Sequence, residues 1–167
     1  MDFYSSISKG YDELYGEEQL SKLSIIKKNI KISKGAKLLD VGCGTGISSD
    51  FDCFVVGVDK SIGLIKQNKR LRVVSAAESL PFKSHSFDYV ISVTSLHNFS
   101  DIRKSIEEMK RVGRQYFVFS ILKKSKKFGG IKRLLESSFK IDEVVEESKD
   151  TIFLLRNYKK QSFIYTK

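Results

Sequence analysis

One stretch constrains the fold more than any other: Lys37–Gly46, read as KLLDVGCGTG. Leu38, Leu39 and Val41 form a short apolar run of the kind found in a strand buried on both faces. Gly42, Gly44 and Gly46 then alternate with Cys43 and Thr45. Glycine tolerates positive φ and carries no side chain, so this spacing implies a tight turn whose backbone a ligand can approach. A second apolar run, Phe54–Val58, ends in Asp59, nineteen residues after Asp40. An acid at the tip of a second strand, about 20 residues on, is placed to accept hydrogen bonds from ribose hydroxyls.

The rest of the chain alternates between strand-like and helix-like runs. Residues from about Tyr11 to Ile30 read as a helix with an apolar stripe of Leu14, Leu20, Leu23, Ile26 and Ile30. The connection after the glycine turn is short, and the start of its helix would offer N–H groups to an anionic ligand group. Ser61 reads as the N-cap of a helix to about Lys69, followed by a strand at Leu71–Val74. Further strands are expected at Phe87–Val93 and Gln115–Leu122, with a helix at Asp101–Val112 between them. A basic loop, Lys123–Arg133, precedes a helix to about Ser137, and strands are expected at Lys140–Glu147, Thr151–Leu155 and Ser162–Thr166. Such alternation implies an α/β fold: a doubly wound, mainly parallel seven-stranded sheet, helices on both faces, and an antiparallel C-terminal hairpin. The 167 residues suit one domain, with residues 1–35 as an N-terminal capping segment and 36–167 as the core.

Three motifs in order carry a family resemblance. The glycine turn reads GxGxG and not GxGxxG; together with VVGVDKS (55–61) and AAESLPFKSHSFDYVISVTSLHNFSD (76–101) it resembles the class I S-adenosylmethionine (SAM)-dependent methyltransferases, type 11. The resemblance implies a Rossmann-like fold with SAM as cofactor. It implies cofactor binding by Asp40, Gly42, Gly44, Gly46, Asp59, Lys60, Ala77 and Glu78, with Tyr11 on the capping helix. Tyr4 and Tyr15 could lie against the cofactor too. The family usually has an acid for the adenine amino group where this chain has Ala76. A nicotinamide oxidoreductase is disfavoured, because the third glycine of its fingerprint is missing and there is no room for a substrate domain.

Methyl transfer from a sulfonium is an in-line displacement on an activated donor, so proximity and alignment supply much of the catalysis. A base is needed only where the acceptor must lose a proton. The segment after the fourth strand has neither Asn-Pro-Pro-Tyr nor Pro-Cys, which disfavours amino methylation by that route and a covalent cysteine mechanism. His97 is the one candidate base there, with Asn98 as a polar partner. The alternative functions are a non-catalytic SAM-binding or partner subunit of the same fold, and a small-molecule or protein methyltransferase.

The charge distribution bears on the acceptor. Net charge is +10, and Arg103–Arg133 holds eleven Lys or Arg against two acids, Glu107 and Glu108. Lys123, Lys124, Lys126 and Lys127 directly follow the fifth strand, so they should stand on the carboxyl-end rim, with Gly129 and Gly130 giving the loop freedom to move. A cluster of that kind suits an anionic acceptor such as RNA. Only Cys43 and Cys53 occur, without a CxxC pair or a histidine cluster, so no metal is expected. No run is long enough for a membrane span and no signal-like h-region is visible, which points to the cytoplasm.

Overall fold

The structure, a computed structural model, describes residues 10–158. Helix α1 (Tyr11–Asn29) leads to β1 (Lys37–Val41). A single 3-10 turn, Ile47–Ser49, stands in the first crossover, followed by β2 (Phe54–Asp59), the one-turn α2 (Ile62–Ile65) and β3 (Leu71–Val74). Then come β4 (Phe87–Ser92), a 3-10 turn at Leu96–Asn98, α3 (Ile102–Val112), β5 (Gly113–Leu122), α4 (Phe128–Ser138), β6 (Lys140–Glu146) and β7 (Asp150–Arg156). The seven strands form one sheet in the order β3-β2-β1-β4-β5-β7-β6. Pairings from β3 through β5 are parallel, and β7 lies antiparallel to both β5 and β6. The expected mainly parallel sheet with a C-terminal hairpin is what forms. The expected strand at Ser162–Thr166 lies outside the described residues.

Chain order reverses between β1 and β4, so a crevice opens beyond their carboxyl ends, where open α/β sheets bind ligands. Strand alternation splits the core into two layers. Leu39, Val41, Val58, Val90, Phe117 and Phe119 face Ile106 and Met109 of α3 and Ile131 and Leu135 of α4. Leu38, Val55, Ile91 and Val118 face Leu23 and Ile26 of α1.

Several local expectations need correction. The buried face of α1 runs through Gln19, Lys22, Leu23 and Ile26, whereas Leu20 is 56% exposed. A buried lysine on that face hid the true stripe. The helix after Ser61 ends at Ile65, and Ser61 makes no side-chain cap. Asn68 turns inward, accepting from Arg70 N and donating to Cys43 Sγ, which gives the chain a local alternative to continuing the helix. Gly129 and Gly130 lie in the first turn of α4 and not in a mobile loop, because Phe128 packs on the core and Ile131 N already bonds Lys127 O. Lys132 and Arg133 therefore sit in the second turn of α4 and not in a loop before it.

Candidate functional site

The glycine turn is built by bonds to β2. Gly42 N and Cys43 N both donate to Val58 O, at 2.7 and 3.0 Å. Gly44 N donates to Asp59 Oδ2, and Ser61 N to Asp59 Oδ1, each at 2.8 Å. One carboxylate thus fixes both the turn after β1 and the turn after β2. Gly42, Gly44 and Gly46 all have positive φ, as the spacing implied. Their reasons differ. A Cβ on Gly42 would stand 2.6 Å from Ser95 and one on Gly46 2.6 Å from Asn68, whereas one on Gly44 would meet only Leu64 Cδ1, at 3.7 Å. Protein packing forbids side chains at the first two; at Gly44 it leaves room for a Cβ in ordinary contact.

Gly44 borders a cleft beyond the ends of β1, β2 and β4. Gly42, Gly44, Asp59, Lys60, Ala77 and Glu78 line it, as anticipated, and Ser75, Leu64, Thr94, Ser95, Asn98 and Phe99 complete the wall. Glu78 is held by Ser100 N and Asp101 N on one carboxylate oxygen. Partial burial opposes its ionisation, but those bonds outweigh burial and keep its carboxyl below the usual range. Leu64 escaped the sequence reading because nothing marked the one-turn α2 as reaching the cleft.

Asp40 and Gly46 stand behind this wall. The Asp40 side chain is fully buried, and its Oδ2 accepts from Ser48 Oγ and Ser49 Oγ at 2.8 and 2.6 Å. Burial raises its pKa to about 6, with the Asp59 charge adding and the two serines opposing. It clamps the 3-10 turn from inside. That turn is only three residues long and spends Gly46 N and Ser49 N internally, so it replaces the helix start expected to offer N–H groups. Burial pushes the neighbouring Cys43 thiol up, leaving it an inert wall. The Tyr11 side chain and Tyr4 lie outside what the structure describes, while Tyr15 is 38% exposed.

The segment after β4 forms the opposite wall. Thr94 has φ +53°, a left-handed conformation that a β-branched residue adopts at a cost of about 1–3 kcal/mol. Ser95, Asn98 and Phe99 reach the cleft, but the His97 side chain is not part of its lining. Burial lowers the His97 pKa, Asp150 counters, and Lys127 and Lys22 add to the lowering. Lys127 bonds the His97 carbonyl and Lys123 pairs with Glu146. Lys124 and Lys126 are exposed, with no partner among the described residues.

A model of the methyltransferase domain family, type 11, matches residues 39–119, the span that holds the glycine turn, Asp59 and the cleft walls. Over that span the chain is similar to the type 11 class I SAM-dependent methyltransferases. An uncharacterised protein of Methanocaldococcus jannaschii is 33% identical over 160 residues, covering 90% of this chain and 63% of that protein. A demethylmenaquinone methyltransferase of Paenarthrobacter aurescens is 37% identical over 97 residues, 53% of this chain and 38% of that enzyme. The chain therefore spans less than two thirds of these relatives' lengths. The fold matches a SAM-dependent methyltransferase of Aquifex aeolicus with a TM-score of 0.79 at 18% identity, covering 94% of this chain and all of the other.

The site suits SAM, the cofactor of that family, on its own geometry. Room for a Cβ at Gly44 leaves the backbone approachable, the Asp59 carboxylate borders the same cleft, and Phe99, Leu64 and Ala77 supply apolar surface for a flat ring. Ala76 stands where the family usually has an acid, and beside it the Ser75 hydroxyl donates to Ser79 O. Among the described residues no cluster of His, Cys, Asp or Glu could hold a metal, and no helix is long and apolar enough to cross a membrane.

Proposed function

We propose that this chain binds SAM in the cleft and transfers its methyl group to an anionic acceptor, RNA being the class its charge favours. The reading is carried by Gly44: a Cβ there would meet only Leu64, at an ordinary contact distance of 3.7 Å, yet its backbone is locked by an acid suited to ribose. Asp59 would accept from the ribose hydroxyls, and Ala77 and Glu78 with Phe99 would flank the adenine. Lys60 borders the same end. Bound SAM supplies an already activated methyl group. The chain's own task is to hold donor and acceptor in line and exclude water, with the wall from Thr94 to Phe99 as the acceptor side. No general base is assigned to His97, whose ring stands outside the cleft lining.

The rim lysines support an anionic acceptor in reduced number. Lys123 and Lys127 are engaged within the protein, leaving Lys124 and Lys126 for phosphates. Two neutralised phosphates on a single strand correspond to a salt slope of about −1.4 in log K against log salt. Lys124→Glu/Lys126→Glu should remove about that much slope and leave cofactor affinity unchanged.

A second reading, a SAM-binding subunit without catalytic activity, is favoured by Ala76 in place of the acid usual in the family. Calorimetry with SAM, S-adenosylhomocysteine and NAD tests the cofactor. Transfer of labelled methyl to RNA, protein and metabolite fractions tests the activity. Cofactor binding with no transfer to any fraction would favour the second reading; binding of NAD alone would defeat both.

A further inference from the structure

A buried polar cluster joins three distant parts of the chain behind the Thr94 wall. Lys22 of α1 is 0% exposed. Its Nζ lies 2.5 Å from Glu18 Oε1, 2.8 Å from Thr94 Oγ1 and 3.2 Å from Asp150 Oδ1. Asp150, at the start of β7 and also 0% exposed, accepts through Oδ2 from Thr94 Oγ1 at 2.7 Å and from Ser120 Oγ at 2.9 Å. Ser120 of β5 in turn accepts from Thr94 N at 2.8 Å. Lys149 closes the outer side by pairing with Glu18 at 2.6 Å. Every one of these bonds around Thr94 ends on its hydroxyl or its N–H.

Two physical arguments give the cluster a purpose. Buried ion pairs rarely add net stability over apolar side chains of similar volume, because desolvation consumes the Coulombic gain. Nor does a β-branched residue adopt a left-handed backbone unless its surroundings over-determine it, and such residues gather at functional sites. Here the costly cluster and the unfavourable conformation meet on one residue, and that residue lines the cleft. The left-handed turn at Thr94 is also where the chain leaves β4 and swings Ser95, Asn98 and Phe99 toward the cleft.

We propose that Lys22, Asp150 and Ser120 are positioning residues that hold Thr94 left-handed and thereby set the wall of the cleft facing Asp59. The N-terminal helix enters the site through this clamp: docking of α1 supplies Lys22, and with it the shape of that wall of the cofactor cleft. The inference rests on the cleft being the cofactor site.

The test replaces the clamp without orphaning a charge. In Lys22→Met/Asp150→Asn both buried charges disappear together. The variant should fold and bind S-adenosylhomocysteine about tenfold more weakly than wild type. Adding Thr94→Gly should restore most of that loss, since glycine takes a positive φ without a clamp. A purely structural cluster would give no such rescue. Should the double variant fail to fold, Ser120→Ala removes the acceptor of Thr94 N and one donor to Asp150 while keeping both charges, and should show the same pattern more weakly, again relieved by Thr94→Gly. A folded clamp variant with wild-type affinity, or a glycine that restores nothing, would overturn the proposal. A crystal structure of the ligand-free clamp variant reads the conformation itself. Thr94 should leave the left-handed region, and Thr94 still at positive φ would overturn the proposal whatever the cofactor does. Wild-type protein that binds no S-adenosylhomocysteine would instead defeat the functional reading, leaving that crystal structure to decide the clamp.

Discussion

Asp59→Ala separates what the acid does for the fold from what it does for the ligand. In the folded protein its two oxygens accept from Gly44 N and Ser61 N, each at 2.8 Å. A hydrogen bond to a charged group contributes about 1.5–3 kcal/mol net, and partial exposure puts both of these near the lower limit. The substitution should therefore cost about 3 kcal/mol of stability. For a domain of this size that is a fall in Tm of roughly 6–12 °C. Binding should lose one or two further bonds, those to the ribose, or about 1.5–3 kcal/mol beyond the loss of stability. That corresponds to roughly 10–150-fold weaker S-adenosylhomocysteine binding. Differential scanning fluorimetry reads the first effect, and calorimetry well below the variant's Tm reads the second. Asp59→Asn keeps one acceptor oxygen and should fall between wild type and Ala on both scales. An alanine variant that loses stability as expected but binds within about threefold of wild type would falsify the ribose assignment while leaving the turn's construction intact.

The two glycines closest to the cleft should respond oppositely. Gly44→Ala meets only Leu64, at 3.7 Å, so it should fold at a cost of about 1–2 kcal/mol for its left-handed backbone yet lose cofactor binding. Gly42→Ala drives a methyl to 2.6 Å from Ser95 and should lose about 3 kcal/mol of stability; thermal unfolding and calorimetry on the pair check the order. Asp40 should leave a mark on the pH dependence of stability. Its carboxyl ionises at 3.8 when unfolded but holds its proton to about 6 when folded, so it stabilises the fold below the first value and that contribution is lost as pH rises through the second. The change amounts to about 3 kcal/mol, and Asp40→Asn should flatten the decline seen in thermal unfolding between pH 4 and pH 7; an unaltered slope would mean the burial is relieved in solution. His97→Ala should leave S-adenosylhomocysteine affinity within about twofold, because its ring stands outside the lining, and the pH profile of turnover should keep its shape. Loss of one limb of that profile would restore His97 as a base.

The local signals in the sequence were those whose physics is local. Alternating glycines announce a turn of positive φ wherever they occur, and an apolar run ending in an acid marks a strand tip; both held at Gly42–Gly46 and at Asp59. Strand alternation with short connections determined the mainly parallel sheet, and hence which ends of the strands form the rim; the reversal of order between β1 and β4 was decided by the tertiary structure. What remained illegible depended on residues far apart in the chain. Leu20 looks like part of a stripe, and Lys22 looks like a solvent-facing residue; only the carboxylate of Asp150 on β7 and the hydroxyl of Thr94 after β4 make the lysine the buried one. Asp40 reads as a ligand residue because it precedes the glycines, but Ser48 and Ser49 turn it inward. The Lys123–Lys127 run reads as four free charges, and two of them are spent on Glu146 and the His97 carbonyl. Spacing along the chain determines backbone conformation, because that is set by neighbours within a few residues. Whether a charge faces a ligand, a partner or the core is decided by the opposing elements, which only the tertiary structure brings within hydrogen-bonding distance.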